Sequence, residues 1–317
     1  MRAYLELIRL PNLFTAMADV MLGFLLVHSS LQPWWTFALL LGSSSLLYSA
    51  GMVLNDLFDL VVDMKERPNR PLPSGRIRVR TAITFGRVLL VGGVLLGWAA
   101  SAVDSISLGQ FQWRSAVVAT LLAVAVVAYD KVLKRTPLAP LIMGICRFLN
   151  VLLGASAATG AADSTIWHPM IWIVAAGVGI YITGVTWFAR KEAGAINRLH
   201  LALSIPVMAA GIALLAWFPR LADANLAEVS WPQYAEKIGF RWYYLWIALG
   251  GLILWRNALA VFEPTKLRVQ RAVKHCILSL ILLDAAACFA VRDIFWATTI
   301  LILVVPSLFL SQWLYST

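Results

Sequence analysis

The sequence predicts an all-α membrane protein: a polytopic bundle of nine or ten transmembrane helices around a central cavity, formed as one domain over residues 1–317. Composition is the first observation, because 61% of the 317 residues are hydrophobic and 13% are charged, with a mean hydropathy of +0.79. Soluble proteins average about 45–50% apolar and about 25% charged residues. The second is the recurrence of apolar runs near the length of about 20 residues that crosses a bilayer. The third is the absence of strand-like alternation, which favours helices in lipid.

The apolar runs locate the predicted helices in order along the chain. They cover residues 13–31, 34–54, 82–103, 115–130, 138–160, 169–189, 201–219, 242–262, 273–291 and 294–314. The last run is the one that decides between nine and ten spans, because it is either a full span or a half-span.

The basic residues that give the chain its net charge of +10 are divided unevenly between the two sides of the membrane. With the N-terminus inside, 20 of the 26 Lys and Arg residues fall on inner segments, five fall on outer segments, and Arg147 lies within a span. This is a positive-inside pattern, so it predicts that the N-terminus and the loop after the second span face the cytoplasm. Topology and attraction to anionic lipid explain the basicity, and we expect no nucleic-acid partner.

Acidic residues follow the second apolar run directly, in the segment NDLFDLVVD at 55–63. On a helix, Asp56, Asp59 and Asp63 fall within an arc of about 60°, with Asn55 on its flank. Ionisable groups at a membrane boundary are costly unless paired or hydrated, so this face is a candidate site. Oxygen ligands without His or Cys suit Mg²⁺ bridging a diphosphate better than zinc.

Arginines follow the acids, and Arg67 and Arg70 are placed to hold the remaining phosphate oxygens. The alternative interpretation is a solvated charged loop that only sets topology.

These residues resemble a known family. NDLFDLVVD with the downstream NRPLPSG is similar to the first signature of the UbiA superfamily of intramembrane prenyltransferases, which has the form NDxxDxxxD followed by RPLPSG. The resemblance implies a nine-helix fold, Mg²⁺ as cofactor and a prenyl diphosphate as substrate. It implies metal binding by Asp56, Asp59 and Asp63, and diphosphate contacts from Asn55, Arg67 and Arg70.

The resemblance extends to three further segments. RLPNLFTA at 9–16 is similar to the family's opening segment, YDKVLKR at 129–135 to its short inner loop after the fourth span, and MGICRFLNVLLG to its next helix. Lys134 is the first candidate for a second phosphate contact. The other implied substrate-binding residues are Asn12, Tyr129, Lys131, Arg135, Arg147 and Asn150.

Arg147 is a candidate site residue independently of the family resemblance, because it lies about a turn and a half inside its span. An arginine there needs an acid or an aqueous cavity. Snorkelling to the inner surface is the alternative. Asp19 and Asp284 also lie within spans, and either a structural hydrogen bond or a catalytic role would account for them.

The loop after the sixth span departs from the family pattern, because it lacks the second acidic motif of DxxxD type. In TGVTWFARKEAGAINR, Glu192 is the only acid and stands beside Arg190 and Lys191. We expect Glu192 to contribute to one cation site, and the positive charge of Lys191 to substitute for a missing metal. A loop without catalytic function is the alternative. The departure resembles an outlying, EboC-like branch, which implies a bacterial cell membrane.

The predicted reaction is transfer of an isoprenoid chain from a prenyl diphosphate to an unidentified acceptor. Asp56, Asp59, Arg67 and Lys134 are the predicted catalytic residues, since they would assist the departure of pyrophosphate. The main alternative is a transporter or scaffold that holds an isoprenoid phosphate without cleaving it. An ion channel is disfavoured, because the acids cluster at one membrane boundary.

Overall fold

The computed structural model describes residues 1–157, 168–190, 198–223 and 238–314. Within these ranges every regular element is helical, which confirms the all-α class. A 3₁₀ turn spans Leu133–Arg135. The α-helices are α1 (Arg2–Leu7), α2 (Leu10–Val27), α3 (Trp34–Phe58), α4 (Leu60–Glu66), α5 (Val79–Leu108), α6 (Arg114–Lys131), α7 (Ala139–Ala155), α8 (Pro169–Ala189), α9 (Arg198–Asp223), α10 (Arg241–Phe262), α11 (Lys266–Val291), α12 (Ile294–Leu301) and α13 (Val304–Leu314).

The ten predicted apolar runs are all helical where they are described, and residues 158–160 of the fifth run lie outside the described ranges. In the described part of the chain, eight helical segments are long and apolar enough to cross a membrane. Helix α6 has 18 residues but carries Arg114, Asp130 and Lys131 at its ends. Helix α7 has 17 residues, which is short of the usual length of about 20.

The tenth run is broken into α12 and α13 at Ile302 and Leu303. Pro306 gives the physical reason: it has no backbone N–H, and its ring excludes the helical position of the carbonyl four residues earlier, which belongs to Ile302.

In the described ranges, nine helices form a closed ring in which each packs against the next. The order is α2, α3, α5, α6, α7, α8, α9, α10 and α11, and α11 returns to α2. Helix α2 also packs against α7 across the ring, so these two helices divide the interior. The cavity described below is lined from both sides of this division, by α3 and α6 on one side and by α8 and α11 on the other.

Two glycines bring α2 and α7 into backbone contact. A Cβ atom added to Gly23 would lie 2.0 Å from the Val151 carbonyl oxygen, and one added to Gly154 would lie 2.2 Å from the Val20 carbonyl oxygen. Neither position has room for a side chain. Small residues allow this close approach, which is a common way of packing helices in membranes.

The outer faces of the ring are apolar. On α5, the exposed side chains Val88, Val91, Leu95 and Trp98 recur three or four residues apart, so they form one stripe along the helix. Such a stripe is suited to lipid contact.

The loop after α4 is anchored by a small apolar cluster. Leu72 and Ile77 are buried with Leu7, Val53 and Ala82, which ties the loop to α1, α3 and α5. The Ile77 N–H also donates to the Pro71 carbonyl at 3.1 Å. This packing places the loop's arginines next to the C-terminal end of α3.

Candidate active site

The acidic face predicted from the sequence lies where α3 continues into α4. Helix α3 ends at Phe58, and Asp59 occupies the junction with φ −92° and ψ 1°. The Asp59 N–H donates to the Asn55 carbonyl at 3.0 Å, and the Asp63 N–H donates to the Asp59 carbonyl at 2.8 Å. Because helical hydrogen bonds persist across the junction, the acids stay at the inner end of the same helical path.

Asp56 and Asp63 share one arginine. The Arg70 Nη1 atom lies 3.3 Å from Asp56 Oδ1 and 2.6 Å from Asp63 Oδ2. Both carboxylates are buried, whereas the Arg70 side chain is 23% exposed. Charge-assisted bonds of this kind are stronger than neutral ones, so Arg70 fixes the two acids relative to the loop.

Asp59 is held from the other side of the site by Lys134. The Lys134 Nζ atom contacts Asp59 Oδ2 and donates to Asn55 Oδ1 at 3.0 Å. Lys134 lies in the 3₁₀ turn after α6, so this contact joins α3 to the α6–α7 connection. The structure places Lys134 beside the acids, and its role as a second phosphate contact stays a prediction.

Arg9 is a site residue that was not among the predicted binding residues, although it begins the segment RLPNLFTA. Its Nη2 atom lies 3.0 Å from Asp56 Oδ1. Among the described residues, Arg9 is the only non-glycine residue with a positive φ, which is 50°. Left-handed backbone is costly for a residue with a side chain and is concentrated at functional sites. This conformation, at the start of α2, directs Arg9 toward the acids.

The donor atoms at this inner end suit a magnesium ion. Asp56, Asp59 and Asp63 offer only oxygen, and Mg²⁺ uses one or two carboxylates together with phosphate oxygens and water. In the described residues, no group of three or more Asp, Glu, His or Cys side chains is close enough to hold a metal without other ligands. The acids instead pair with Arg9, Arg70 and Lys134.

A cavity of about 290 Å³ opens from this cluster into the ring. Its polar mouth includes Arg9, Asn12, Asn55 and Tyr129. Apolar side chains form much of the remaining wall: Leu47, Met52, Leu122, Val126, Met143, Ile182, Val185, Val273 and Ile277.

A separate cleft of about 420 Å³ lies on the loop side of Asp56. Arg67 and Arg70 line it, and Arg9 lines both the cleft and the cavity. The predicted phosphate contacts Arg67 and Arg70 therefore face the cleft, while the side chains suited to an apolar tail face the cavity.

Arg147 lies inside the cavity and has an acidic partner. Its Nη1 atom is 2.8 Å from Asp19 Oδ2, and its Nη2 atom donates to Thr15 Oγ1 at 2.9 Å. The guanidinium carbon also lies 5.6 Å from the centroid of the Tyr48 ring. The sequence predicted that Arg147 needs an acid or a cavity, and the structure supplies both.

Asn150 extends this network. Its Nδ2 donates to Asp19 Oδ2 and to the Ala16 carbonyl, each at 2.9 Å, and its Oδ1 accepts from Ser44 Oγ at 2.6 Å. Arg147 and Asn150 both line the cavity. Asp284 is fully buried, and neither of its carboxyl oxygens has a hydrogen-bond partner among the described residues.

Some predicted site residues do not join this arrangement. Lys131 and Arg135 are exposed and line neither the cavity nor the cleft. Lys191 and Glu192 lie outside the described residues.

Asp130 is a second residue that the sequence argument did not select. It is 6% exposed and lines the cavity beside Tyr129. Its signal in the sequence is an acid directly before the basic residues of YDKVLKR, at the inner end of a span.

Comparison with known proteins identifies relatives over part of the chain. A digeranylgeranylglyceryl phosphate synthase from Sulfurisphaera tokodaii is 29% identical over 157 residues, covering 49% of this chain and 52% of the relative. One from Sulfolobus acidocaldarius is 38% identical over 96 residues, covering 30% of this chain and 34% of the relative. The chain thus spans about half or less of the length of the curated relatives it matches.

Solved structures of similar fold cover most of the chain. A UbiA homolog from Aeropyrum pernix K1 has a TM-score of 0.63 and 18% identity, over 86% of this chain and 96% of that protein. A UbiA homolog from Archaeoglobus fulgidus bound to GPP and Mg²⁺ has a TM-score of 0.53 and 16% identity, over 88% and 99%. At these identities the likeness shows a shared fold.

The sequence itself shows the family, since residues 16–278 match the sequence model of the UbiA prenyltransferase family. This range contains the acidic segment, the basic loop, the Lys134 turn and the Arg147 helix. The resemblance inferred from the motifs is therefore confirmed, and the chain belongs to the UbiA prenyltransferase family.

Proposed function

We propose that this protein transfers an isoprenoid chain from a prenyl diphosphate to an acceptor within the membrane, with Mg²⁺ as cofactor. One observation carries the proposal: the acids of NDLFDLVVD are paired with Arg9, Arg70 and Lys134 at the mouth of a largely apolar cavity. A diphosphate with an apolar tail matches this arrangement, because its charge would lie at the mouth and its tail inside.

The charge balance supports a metal in the loaded site. Three acids, Asp56, Asp59 and Asp63, pair directly with three cations in the described structure. A diphosphate would add several negative charges to a cluster that is already balanced, so further positive charge must enter with it. Bound Mg²⁺ would supply that charge by neutralising phosphate oxygens. The Archaeoglobus fulgidus relative bound to GPP and Mg²⁺ supports the same assignment.

We assign the chain's own residues by position. Asp56, Asp59 and Asp63 would hold the ion, and Glu192 would join them from outside the described residues. Arg9, Arg70 and Lys134 would stabilise the negative charge that develops on the leaving pyrophosphate, which is electrostatic catalysis. Other proposed contacts to the polar parts of the substrates are Asn12, Asn55, Arg67, Tyr129, Lys131, Arg135, Arg147, Asn150 and Lys191.

The cavity volume favours a short prenyl group, or the first part of a longer one. At about 290 Å³, the cavity lies at the low end of the range of about 300–1,000 Å³ for ligand sites. Its polar wall near Arg147, Asn150 and Ser44 offers a place for the polar end of the acceptor. The curated relatives are named for a glyceryl phosphate lipid, which makes a hydroxylated lipid one class of acceptor to test.

We propose that the mouth of the site faces the cytoplasm. The acidic cluster and the Lys134 turn lie at the same helix ends as most of the basic residues, and such residues are retained on the inner side.

One assay tests both the reaction and the side of the membrane that the site faces. Inverted and right-side-out membrane vesicles containing the protein would receive geranyl diphosphate and a hydroxylated lipid as acceptor, with Mg²⁺ or with EDTA, and pyrophosphate release would be measured. We expect release in inverted vesicles with Mg²⁺, and at least about tenfold less with EDTA. Binding of geranyl diphosphate without release would instead support the non-catalytic scaffold. Release confined to right-side-out vesicles would reverse the topology.

A further inference from the structure

The acids of the site are divided between two spaces. Asp56 lines the cleft together with Arg67 and Arg70, whereas Asp130 lines the cavity. In the described part of the chain, Asp130 is the only carboxylate among the residues that line the cavity. The side of the site where carbon–oxygen chemistry would occur therefore has one acid, and that acid is not part of NDLFDLVVD.

Asp130 is placed differently from the acids that pair with arginine or lysine. Its carboxyl group lies close enough to Lys134, Asp59 and Arg9 for charge interactions, but it forms no ion pair among the described residues. A carboxylate can accept several hydrogen bonds, so Asp130 can accept one from a ligand in the cavity.

The Asp130 carboxyl group lies beside Gly51 of α3. A Cβ atom added to Gly51 would lie 4.0 Å from Asp130 Oδ2 and 3.0 Å from Val126 Cγ1, so α3 and α6 pack closely at this point. Gly51 and Asp130 both line the cavity, which places the carboxyl group at the cavity wall.

Helix stability does not account for an acid at this position. Asp130 is the penultimate residue of α6, which ends at Lys131. The C-terminal end of a helix carries partial negative charge, so a carboxylate in the last turn is unfavourable there. Burial adds a second cost to keeping it. A functional contact explains both its position and its orientation.

We propose that Asp130 binds the reactive hydroxyl of the acceptor and takes up its proton during transfer. The inference rests on the proposed prenyl transfer. The C1–O bond of the prenyl diphosphate breaks, and its electron pair leaves with pyrophosphate. The acceptor oxygen then forms a bond to C1, and the hydroxyl proton moves to the Asp130 carboxylate.

A hydroxyl is the nucleophile that suits these surroundings. Arg147 is already balanced by Asp19, so the deeper wall offers little net positive charge to an anionic nucleophile. Ser44 and Asn150 bring neutral hydrogen-bonding groups to the same wall. A neutral hydroxyl that lies in the cavity next to Asp130 can donate to it without having to be charged beforehand.

The test separates acceptor activation from donor binding. Wild type, Asp130→Asn and the control Glu263→Gln, an exposed acid on the α10–α11 loop, would be purified in nanodiscs. Binding of the unreactive geranyl S-thiolodiphosphate with Mg²⁺ would be measured by calorimetry. Product formation would be measured with geranyl diphosphate and two hydroxyl probes, a glyceryl phosphate ether with one free hydroxyl and a phenol.

We expect Asp130→Asn to bind the donor analogue within about twofold of wild type and to form product at least about 100-fold more slowly, since general bases contribute about 10²–10⁴-fold. Product formation within threefold of wild type would overturn the proposal. A matching loss of donor affinity would also overturn it, because Asp130 would then belong to the diphosphate site.

Two outcomes for wild type distinguish this inference from the proposed function. Pyrophosphate release with neither hydroxyl probe prenylated would contradict the hydroxyl acceptor while leaving the donor site intact. Absence of both donor binding and pyrophosphate release would reject the prenyl transfer itself.

Discussion

Lys134→Ala is expected to slow pyrophosphate release by at least about 100-fold. Lys134 contacts Asp59 and Asn55, so its loss removes positive charge beside the leaving group and frees a carboxylate that it holds. Removal of one group that stabilises developing charge costs about 10²–10³-fold in other enzymes. Release from geranyl diphosphate under saturating Mg²⁺ would measure the effect.

Arg80→Ala is the matched control for Lys134→Ala. Arg80 is an exposed cation near the start of α5 and lines neither the cavity nor the cleft. If both variants kept rates within about threefold of wild type, Lys134 would have no role in the departure of pyrophosphate.

Asp19→Asn is expected to destabilise the protein far more than Asp284→Asn does. Asp19 is the ion-pair partner of Arg147 and also accepts from Asn150, so its replacement leaves a buried guanidinium without its partner. Removal of one member of a buried pair costs about 3–5 kcal/mol. Asn at position 284 keeps the Arg147–Asp19 pair, and the Asp284 carboxyl oxygens have no hydrogen-bond partner among the described residues to lose, so we expect a loss below about 1.5 kcal/mol.

Unfolding by titrated denaturing detergent would compare the two variants under the same conditions. Equal losses of stability would contradict this assignment, because they would mean that Asp19 and Asp284 support Arg147 to the same degree.

The sequence predicted the acidic face because its pattern is local. Asp56, Asp59 and Asp63 are separated by one turn each, and helical geometry alone brings them together. The apolar runs are likewise local and long, so each predicted span contains a helix. Pro306 is the local signal that could have predicted the break in the last run, because proline disrupts the helix one turn earlier.

Long-range contacts could not be predicted in the same way. Arg9 reaches Asp56 only because its backbone is left-handed and α1, α2 and α3 pack together at this end. The position of Arg147 inside its span predicted that it needs an acidic partner. The identity of that partner, Asp19, depends on the contact of α2 with α7. Which acid faces the cleft and which the cavity is also a tertiary property, and this is why Asp130 was not selected.

Several predictions stay predictions. The residue roles, the single domain over residues 1–317, the EboC-like branch and the bacterial membrane rest on the sequence alone. Lys191 and Glu192 belong with them, because they lie outside the described residues.

The central claim is that the acids of NDLFDLVVD bind a prenyl diphosphate through Mg²⁺. The most direct measurement is equilibrium binding of geranyl S-thiolodiphosphate to wild type and to the double variant Asp56→Asn with Asp59→Asn, each with and without Mg²⁺. We predict that wild type binds at least about tenfold more tightly with Mg²⁺ than without it, and that the double variant loses this enhancement. Equal Mg²⁺-dependent binding by both proteins would contradict the account.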